Sequence, residues 1–228
     1  MLLALDTSTH TSSVALYDEH GVIGETTWRS HENHTRSLMP ELVRLMELAG
    51  AQVNDIRAIG VAMGPGSFTG LRIGLSAAKG LAFSLNAVVI GVPTLDISAS
   101  IFTNQELPVW AVLQAGRKRY AAALYENQNG VMQRMSEYIF GTADGLTAQL
   151  GRHLDASTER VLVVGEIDEP LSDALHAVFT ERVVLASDAL NARRAGFLAA
   201  MAWRRWQAGE IDELTSLAPY YIPTASLA

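Results

Sequence analysis

Cysteine is absent from this sequence of 228 residues. Its absence excludes disulfides, thiolate metal sites and a cysteine nucleophile. Long apolar runs are also missing: the longest, from Gly80 to Val92, is interrupted by Ser84 and Asn86 and falls well short of the roughly 20 residues that a membrane span needs. The opening MLLALDTSTH has no basic stretch and predicts a first strand, not a signal peptide. We therefore expect a cytoplasmic protein without a membrane association.

Basic residues are scarce, with 17 Lys and Arg against 24 Asp and Glu and a formal net charge of −7. Because binding to a polyanion depends on clustered Lys and Arg, we expect another subunit to hold any nucleic acid. The two basic runs, Arg117-Lys118-Arg119 and Arg193-Arg194, are not interleaved with aromatics, which favours solvated faces over a nucleic-acid patch. The apolar fraction of 49% is typical of a globular protein, and the length allows two modest domains.

The first part of the chain predicts the element order βββαβαβ. The strands are predicted at 2–6, 13–17, 22–28, 58–63 and 88–92, and the helices at 37–49 and 67–85. Pro40 is compatible only with a first helical turn or a kink, so the first helix is expected to begin near Ser37. Ser67 and Thr69 are candidate N-caps of the second helix. Later predicted elements are a helix around 142–154, a strand at 161–164 and a long helix at 189–206.

The second half of the chain repeats the opening of the first. A shift of 108 residues pairs Ala15-Leu16-Tyr17 with Ala123-Leu124-Tyr125 and places Asp6 on Gln114. Each half then begins with three short strands separated by turns. The duplication predicts an α/β fold of two tandem domains, residues 1–104 and 105–228, that face one another across a cleft.

An acid followed by three hydroxyls ends the first predicted strand, in Asp6-Thr7-Ser8-Thr9. The backbone N–H groups and hydroxyls of such a turn can hold a phosphate, and the aspartate can hold magnesium through water. Alternatively, Asp6 only caps the strand and organises the turn, and the residues leave both interpretations open. The Gly-rich turn at 64–70 lacks the Gly-Lys-Ser/Thr of a P-loop, which excludes a P-loop NTPase.

Both helices of the first half carry more apolar and small residues than one sheet face requires. Gly70, Gly74 and Ala78 place small side chains along one strip of the second helix, while larger apolar residues fill its other sides. A second lipophilic face of this kind invites another helix at close range. The alternative is a helix buried entirely inside its own domain, and the residues favour neither. The candidate partner interface consists of Leu38, Leu42, Leu45, Met46, Gly70, Leu71, Gly74, Leu75 and Ala78.

Histidines near the N-terminus must be considered as metal ligands, because His31 and His34 are three residues apart and could share a helical face. We favour a surface or helix-terminal role for them. The sequence contains no His-Glu-x-x-His motif and no Gly-x-Ser-x-Gly motif, so the corresponding zinc peptidases and serine hydrolases are not supported. We assign no catalytic residue and no metal ligand.

Several motifs together resemble the TsaB (YeaZ) family in order and spacing. They are Leu5-Asp6-Thr7-Ser8, Ser12-Ser13-Val14-Ala15-Leu16, His34-Thr35-Arg36-Ser37-Leu38-Met39-Pro40, Gly64-Pro65-Gly66-Ser67-Phe68-Thr69-Gly70-Leu71-Arg72-Ile73-Gly74 and Gly91-Val92-Pro93-Thr94-Leu95. The Gly-Pro-Gly-Ser-Phe-Thr-Gly string is highly specific, and the resemblance is thin in the second half of the chain. It implies two actin/Hsp70-like (ASKHA) domains of βββαβα type, in agreement with the internal repeat.

The resemblance also implies a function, that of a non-catalytic scaffold subunit in the synthesis of threonylcarbamoyladenosine (t6A) beside the anticodon of tRNA. Family members pair with a catalytic sister, TsaD, through their first two helices, and the P-loop ATPase TsaE joins the pair. In the sister, the positions of Thr94 and Ser98 carry a His-x-x-x-His metal motif, which this chain lacks. The resemblance further implies a vestigial nucleotide-binding turn, Asp6-Thr7-Ser8, with no tightly bound cofactor. ATP and magnesium would be used by the complex, tRNA would be contacted indirectly, and a homodimer would form when TsaD is absent.

Two other classes of function stay open, an ATP-dependent small-molecule kinase of the same fold and a metallopeptidase. A kinase of this fold needs a phosphate turn in each domain, and Gln114 is neutral where the first domain offers Asp6. A peptidase lacks ligands, a nucleophile and an activating base. The scaffold is therefore our main prediction, and the kinase is the alternative.

Overall fold

The computed structural model describes residues 1–30, 34–116, 118–154 and 160–222, without the side chains of residues 34 and 35. In chain order its helices and strands are β1 (Leu2–Asp6), β2 (Thr11–Asp18), β3 (Gly21–Arg29), α1 (His34–Ala49), β4 (Ala58–Ala62), α2 (Phe68–Leu85), β5 (Val88–Val92), α3 (Thr94–Ser100), β6 (Val109–Gln114), β7 (Tyr120–Gln128), β8 (Val131–Arg134), β9 (Ile139–Gly141), α4 (Ala143–His153), β10 (Val161–Gly165), α5 (Glu169–Phe179), β11 (Val183–Leu185), α6 (Asp188–Asn191) and α7 (Ala195–Gln207). Two compact units result. Unit 1 comprises Met1–Ile97 and Arg193–Tyr221, and unit 2 comprises Ser98–Ala192 with Ile222.

Unit 1 is built on a five-stranded mixed sheet in the order β3-β2-β1-β4-β5. Strands β1 to β3 are antiparallel neighbours, whereas β4 and β5 run parallel to β1. Alternate side chains of β1 enter different cores, because successive residues of a strand point to opposite faces. Leu3 and Leu5 pack with residues of α1 and α2, whereas Leu2 and Ala4 pack with residues of α7. The sheet is therefore the middle layer of three.

The two N-terminal helices follow the predicted pattern with one difference. The Ser67 hydroxyl caps α2 by accepting a hydrogen bond from the Gly70 N–H (3.2 Å), and Asn86 ends this helix in the left-handed conformation. Helix α1 begins at His34, so Pro40 lies in its interior and the predicted start near Ser37 was wrong. Pro40 lies on the exposed side of α1, where a backbone carbonyl that loses its intrahelical partner can still be hydrated.

Unit 2 repeats this plan on a six-stranded sheet. Its strands lie in the order β11-β10-β6-β7-β8, and β9 pairs with β7. Strands β6, β7 and β8 are antiparallel, whereas β10 and β11 run parallel to β6. Apolar residues of α4 and α5 pack on one face of this sheet. Both units therefore contain the predicted three antiparallel strands followed by a helix and a further strand, whereas β9, α5 and β11 of unit 2 were not predicted.

The division into units differs from the predicted boundary after residue 104. The boundary lies inside α3, between Ile97 and Ser98, and Arg193–Tyr221 belongs to unit 1 although it follows unit 2 in sequence. The long helix predicted at 189–206 is two helices, α6 and α7, and α7 packs on the sheet of unit 1. An apolar helix side indicates burial, but it does not indicate which of two sheets the helix covers.

The segment after α7 covers the outer edge of β5. The Asp212 N–H donates to the Val89 carbonyl (3.0 Å), and the Asp212 carboxylate accepts from the Gly91 N–H (2.8 Å). Arg205 donates to the Gly91 carbonyl (2.7 Å). Because an open strand edge can pair with another chain, this cover removes one edge from unit 1. Across the part of the chain that the structure describes, no helix combines the length and the apolar character needed to cross a bilayer.

Candidate functional site

The turn after β1 is buried and internally satisfied. Asp6, Thr7, Ser8 and Thr9 each expose 3% of their surface or less. One carboxylate oxygen of Asp6 accepts from the N–H (2.8 Å) and the hydroxyl (2.5 Å) of Ser8. Asp6 thus organises its own turn, which is one of the two interpretations that the sequence left open.

The other carboxylate oxygen of Asp6 accepts a hydrogen bond from Arg193 Nε (3.2 Å). Both side chains are 2% exposed, so this is a buried ion pair. Arg193 also donates to the Thr9 hydroxyl. The next residue, Arg194, forms an ion pair with Glu25 of β3. The prediction of a solvated basic face was wrong for Arg193, which is buried, whereas Arg194 is exposed as predicted, with 55% of its side chain accessible. Of the other basic run, Arg117 lies outside the described residues.

Helix α2 begins directly against this turn. The Ser67 N–H donates to the Ser8 carbonyl (2.6 Å), and the Thr7 hydroxyl donates to the Gly70 carbonyl (2.7 Å). A Cβ atom on Gly70 would lie 2.0 Å from the Thr7 carbonyl oxygen, and one on Gly74 would lie 2.4 Å from the Thr7 hydroxyl. The two glycines are therefore needed for close packing of α2 on the turn.

The corresponding turn of unit 2 is held by a different set of side chains. Asp168 caps α5 by accepting from the Leu171 N–H (3.2 Å), and it also accepts from the Gln114 side chain (3.1 Å) and the Tyr120 hydroxyl (2.5 Å). The Gln114 N–H donates to the Glu166 carboxylate (2.9 Å). Asp168 thus links Gln114 and Tyr120 to the start of α5, as Thr7 links the turn after β1 to the start of α2.

The residues that face each core show that the alignment of β1 with β6 differs by one residue from the predicted shift of 108. Leu3 and Leu5 face the core that contains α1 and α2, and Trp110 and Val112 face the core that contains α4 and α5. The equivalent shift for this strand is 107 residues, since 110 − 3 = 107.

The predicted match of Asp6 with Gln114 is therefore off by one residue. Gln114 corresponds to Thr7, and Leu113 corresponds to Asp6. The connection from the first strand to the second is one residue longer in unit 2, because Leu5 pairs with Val14 whereas Val112 pairs with Ala122. The Ala-Leu-Tyr match on which the prediction depended lies beyond that extra residue.

Tyr120 gives this cluster a measurable pH dependence. Burial, together with the hydrogen bond to Asp168 and its negative charge, raises the pKa of the Tyr120 hydroxyl well above its usual value. A raised pKa stabilises the folded state up to about pH 10, and this contribution is lost as the pH rises further, because the unfolded chain then ionises first.

We expect Tyr120→Phe to lower the free energy of unfolding by about 1.5–3 kcal/mol near neutral pH, since a hydrogen bond to a charged acceptor is removed. The difference from the unsubstituted protein should shrink between about pH 9.5 and 11. Urea denaturation at several pH values measures both effects. A difference that stays constant over this pH range would contradict the assignment of the raised pKa to Tyr120.

Most residues of the candidate partner interface lie inside unit 1. Leu38, Leu42, Leu45, Leu71, Leu75 and Ala78 are at most 5% exposed, Gly70 and Gly74 are buried, and only Met46 is half-buried. They fill the core beneath α1 and α2 or contact the turn after β1. At these positions the interpretation as a buried intradomain face applies. Substitution of Gly74 or Ala78 would consequently test the fold of unit 1 and not its pairing.

The same two helices expose a different apolar set. Ser37 of α1 accepts a hydrogen bond from Trp28 of β3, so Met39, Val43 and Met46 lie on the opposite flank, towards α2. On α2, Lys79 donates to the Thr215 carbonyl, so Ile73 and Ala77 lie on the flank towards α1. We define the α1–α2 surface as Met39, Val43, Met46, Ile73 and Ala77. Met39 and Val43 are 42% and 51% exposed, and the other three are half-buried.

The structure describes two of the positions considered for a metal site, Thr94 and Ser98. The Thr94 hydroxyl accepts from the Gly64 N–H (3.1 Å), and Thr94 and Ser98 are both buried. Among the residues with described positions, no three His, Cys, Asp or Glu side chains lie close enough to hold a metal ion. His31 and the side chain of His34 lie outside the described residues.

Comparison with known proteins supplies the family context. The family model for TsaD, tRNA N6-adenosine threonylcarbamoyltransferase, matches residues 6–223. The tRNA threonylcarbamoyladenosine biosynthesis protein TsaB of Bacillus subtilis strain 168 is 34% identical over 134 residues, which cover 59% of this chain and 58% of that protein. The match thus spans less than two thirds of that curated relative.

Solved structures cover the chain more fully. YeaZ from Pseudomonas aeruginosa is similar with a TM-score of 0.77 and 27% identity, over 97% of this chain and 99% of that one. Component A of (R)-2-hydroxyglutaryl-CoA dehydratase from Acidaminococcus fermentans has a TM-score of 0.52 at 11% identity, over 90% of this chain and 98% of that one, and shares the fold alone. The predicted actin/Hsp70-like α/β fold is confirmed.

Proposed function

Since the chain belongs to the TsaB (YeaZ) family, within the group that the tRNA N6-adenosine threonylcarbamoyltransferase model describes, we propose that it is a non-catalytic scaffold that pairs with a TsaD protein. The pair would attach threonylcarbamoyl to the adenosine beside the anticodon of tRNA in the cytoplasm. TsaE would join the pair and use ATP and magnesium, and tRNA would reach this chain only through the complex.

The observation that carries this proposal is the exposed apolar α1–α2 surface. Met39 and Val43 are large apolar side chains that stay about half exposed on adjacent turns of α1, and half-buried Ile73 and Ala77 extend the patch onto α2. Contiguous apolar patches of this kind are typical of protein–protein contacts. Two helices presented side by side suit a partner that also offers a pair of helices. In the absence of TsaD the same surface would pair with a second copy around a two-fold axis.

The turn after β1 supports a non-catalytic role. A magnesium nucleotide in this fold would need the Asp6 carboxylate and space at the start of α2. Asp6 is instead held by Arg193 and Ser8, and Thr7 contacts Gly70 and Gly74 directly. These residues do not fit a bound magnesium nucleotide. Leu113, at the position in unit 2 that corresponds to Asp6, carries no carboxylate, so the kinase alternative gains no support.

The test of this proposal is pairing with the TsaD protein of the same organism. We expect Val43→Glu to weaken co-elution and to raise the dissociation constant at least tenfold, which corresponds to about 1.4 kcal/mol, because it places a charge in an apolar contact. Val178→Glu in α5 is the matched control, since Val178 is a 62% exposed apolar residue of unit 2. It should pair normally.

A reconstituted assay completes the test. Modification of tRNA should need this chain together with TsaD and TsaE, and the Val43→Glu variant should lose activity in proportion to its loss of pairing. Equal pairing of the two variants would contradict the assigned surface. Steady ATP hydrolysis by the purified chain that disappears in Asp6→Ala would contradict the scaffold role and favour a kinase.

A further inference from the structure

A groove lies on the flank of α2 opposite the α1–α2 surface, where residues 215–221 run beside the helix. Its volume is about 420 Å³, and the residues that line it include Arg72, Leu75, Lys79, Thr215, Leu217 and Tyr221. We propose that this groove binds an extended acidic peptide segment of a partner protein. The proposal does not rest on the function proposed above, because the groove and the α1–α2 surface are on opposite sides of α2.

The charge of the groove is the first argument. Its two ionisable residues of fixed charge, Arg72 and Lys79, are basic, and none of the described residues that line it is acidic. This local charge contrasts with the net charge of −7 for the whole chain. Complementary charge therefore favours an acidic ligand at this groove.

Arg72 is oriented in advance for an anion. Its guanidinium group lies 3.8 Å from the centre of the Phe68 ring, and its Nε donates to the Tyr221 hydroxyl (3.0 Å). These contacts fix one edge and one face of the guanidinium plane, and they leave its terminal amino groups to form the paired hydrogen bonds that a carboxylate accepts. Binding there would cost less side-chain entropy than binding to a mobile arginine.

The spacing of the two cations is the second argument. Seven residues of α-helix separate Arg72 from Lys79, a rise of about 10.5 Å. In a peptide with the extended polyproline II conformation, which has three residues per turn, side chains three residues apart lie on the same face and are separated by about 9 Å. Between the cations, the floor of the groove is formed by Leu75 and Leu217, which are 5% and 8% exposed. The fitting ligand has two carboxylates at positions i and i+3 and an apolar side chain between them.

The same features disfavour single-stranded nucleic acid. Its recognition needs free aromatic faces on which bases stack, together with a continuous basic track. Here the Phe68 ring is already covered by Arg72 and lies 5.0 Å from the Tyr221 ring, and the floor between the cations is aliphatic. An RNA ligand is therefore a distinct outcome of the experiment.

The test is a titration of the full isotope-labelled chain, followed by amide chemical shifts in nuclear magnetic resonance spectra. The probe is the capped peptide Gly-Glu-Leu-Ala-Glu-Gly. We expect saturable shifts confined to residues 72–79 and 215–221, with a dissociation constant on the order of 0.1–1 mM. The affinity should fall as the salt concentration rises, because the charged groups are partly exposed.

Three comparisons decide the result. Lys79→Glu should weaken binding at least about tenfold, and it is the main variant because the Lys79 ammonium makes an exposed hydrogen bond to the Thr215 carbonyl (3.3 Å) and is not part of the core. Arg204→Glu, a charge reversal at an exposed position of α7, should leave binding unchanged. The corresponding Lys-Leu-Ala-Lys peptide and a peptide with adjacent glutamates should not saturate. Equal binding of all peptides, an unchanged affinity in Lys79→Glu, or tighter binding of a short oligouridylate would each overturn the proposal.

Discussion

Arg193→Met is expected to lower the free energy of unfolding by about 3–5 kcal/mol. The substitution keeps a long side chain but removes the cation, so the Asp6 carboxylate stays buried and, among the residues described, keeps Ser8 as its hydrogen-bond donor. Leaving a charge buried without its partner costs far more stability than the intact pair contributes. Urea denaturation followed by circular dichroism measures the change.

Two further variants separate this explanation from a general loss of packing. Arg194→Met removes an arginine whose side chain is 55% exposed, and we expect it to cost about 0–1 kcal/mol. The double variant Asp6→Asn with Arg193→Met should recover much of the lost stability, because no unpaired charge is left. Equal losses for Arg193→Met and Arg194→Met, or a double variant less stable than Arg193→Met, would contradict the proposed role of the buried pair.

Gly70→Ala should destabilise unit 1 by about 1–3 kcal/mol. The added Cβ atom would lie 2.0 Å from the carbonyl oxygen of Thr7, so either the start of α2 or the turn after β1 must shift. Alanine otherwise favours a helix by up to about 1 kcal/mol relative to glycine. A net loss would thus show that close packing dominates over helix propensity.

Gly80→Ala in the same helix is the matched control. Among the described residues, no atom beyond the neighbouring backbone of α2 itself lies within 4 Å of a Cβ atom built on Gly80, so only the helix propensity acts. We expect this variant to be more stable by about 0.5–1 kcal/mol. Opposite signs at the two positions, measured by thermal and urea denaturation, are the expected result. Stabilisation by Gly70→Ala would show that the turn can move at little cost.

Local patterns were sufficient to predict strands β1 to β5 and helices α1 and α2, although not the short helix α3. The three short strands β1 to β3 and the Ser67 cap of α2 depend on neighbours in sequence, so short-range rules apply to them. The return of α7 to the first sheet depends on contacts between residues almost the whole chain apart, such as Asp6 and Arg193. The periodicity of apolar residues does not predict which distant residue such a side chain contacts.

The candidate surface illustrates the same limit. Leu38 and Val43 are both apolar residues of α1, yet the first is 2% exposed and the second 51%. The sequence predicted that α1 and α2 carry more apolar residues than one sheet face requires. Which side of each helix covers the sheet depends on how the helices pack in the folded unit. The buried positions form the more regular apolar stripe, and such a stripe does not distinguish a core face from an interface.

The return of Arg193–Tyr221 to unit 1 has a consequence for synthesis on the ribosome. When residue 97 has emerged, the sheet of unit 1 still lacks the helix that covers Leu2, Ala4 and Ile90. Bacterial and other ribosomes add about 5–20 residues per second, so this apolar face waits on the order of ten seconds for α7. Most of unit 2 is contiguous in sequence and has no such delay. The later half of the polypeptide can consequently mature before the earlier half, and the nascent first half is the part most in need of protection by a chaperone.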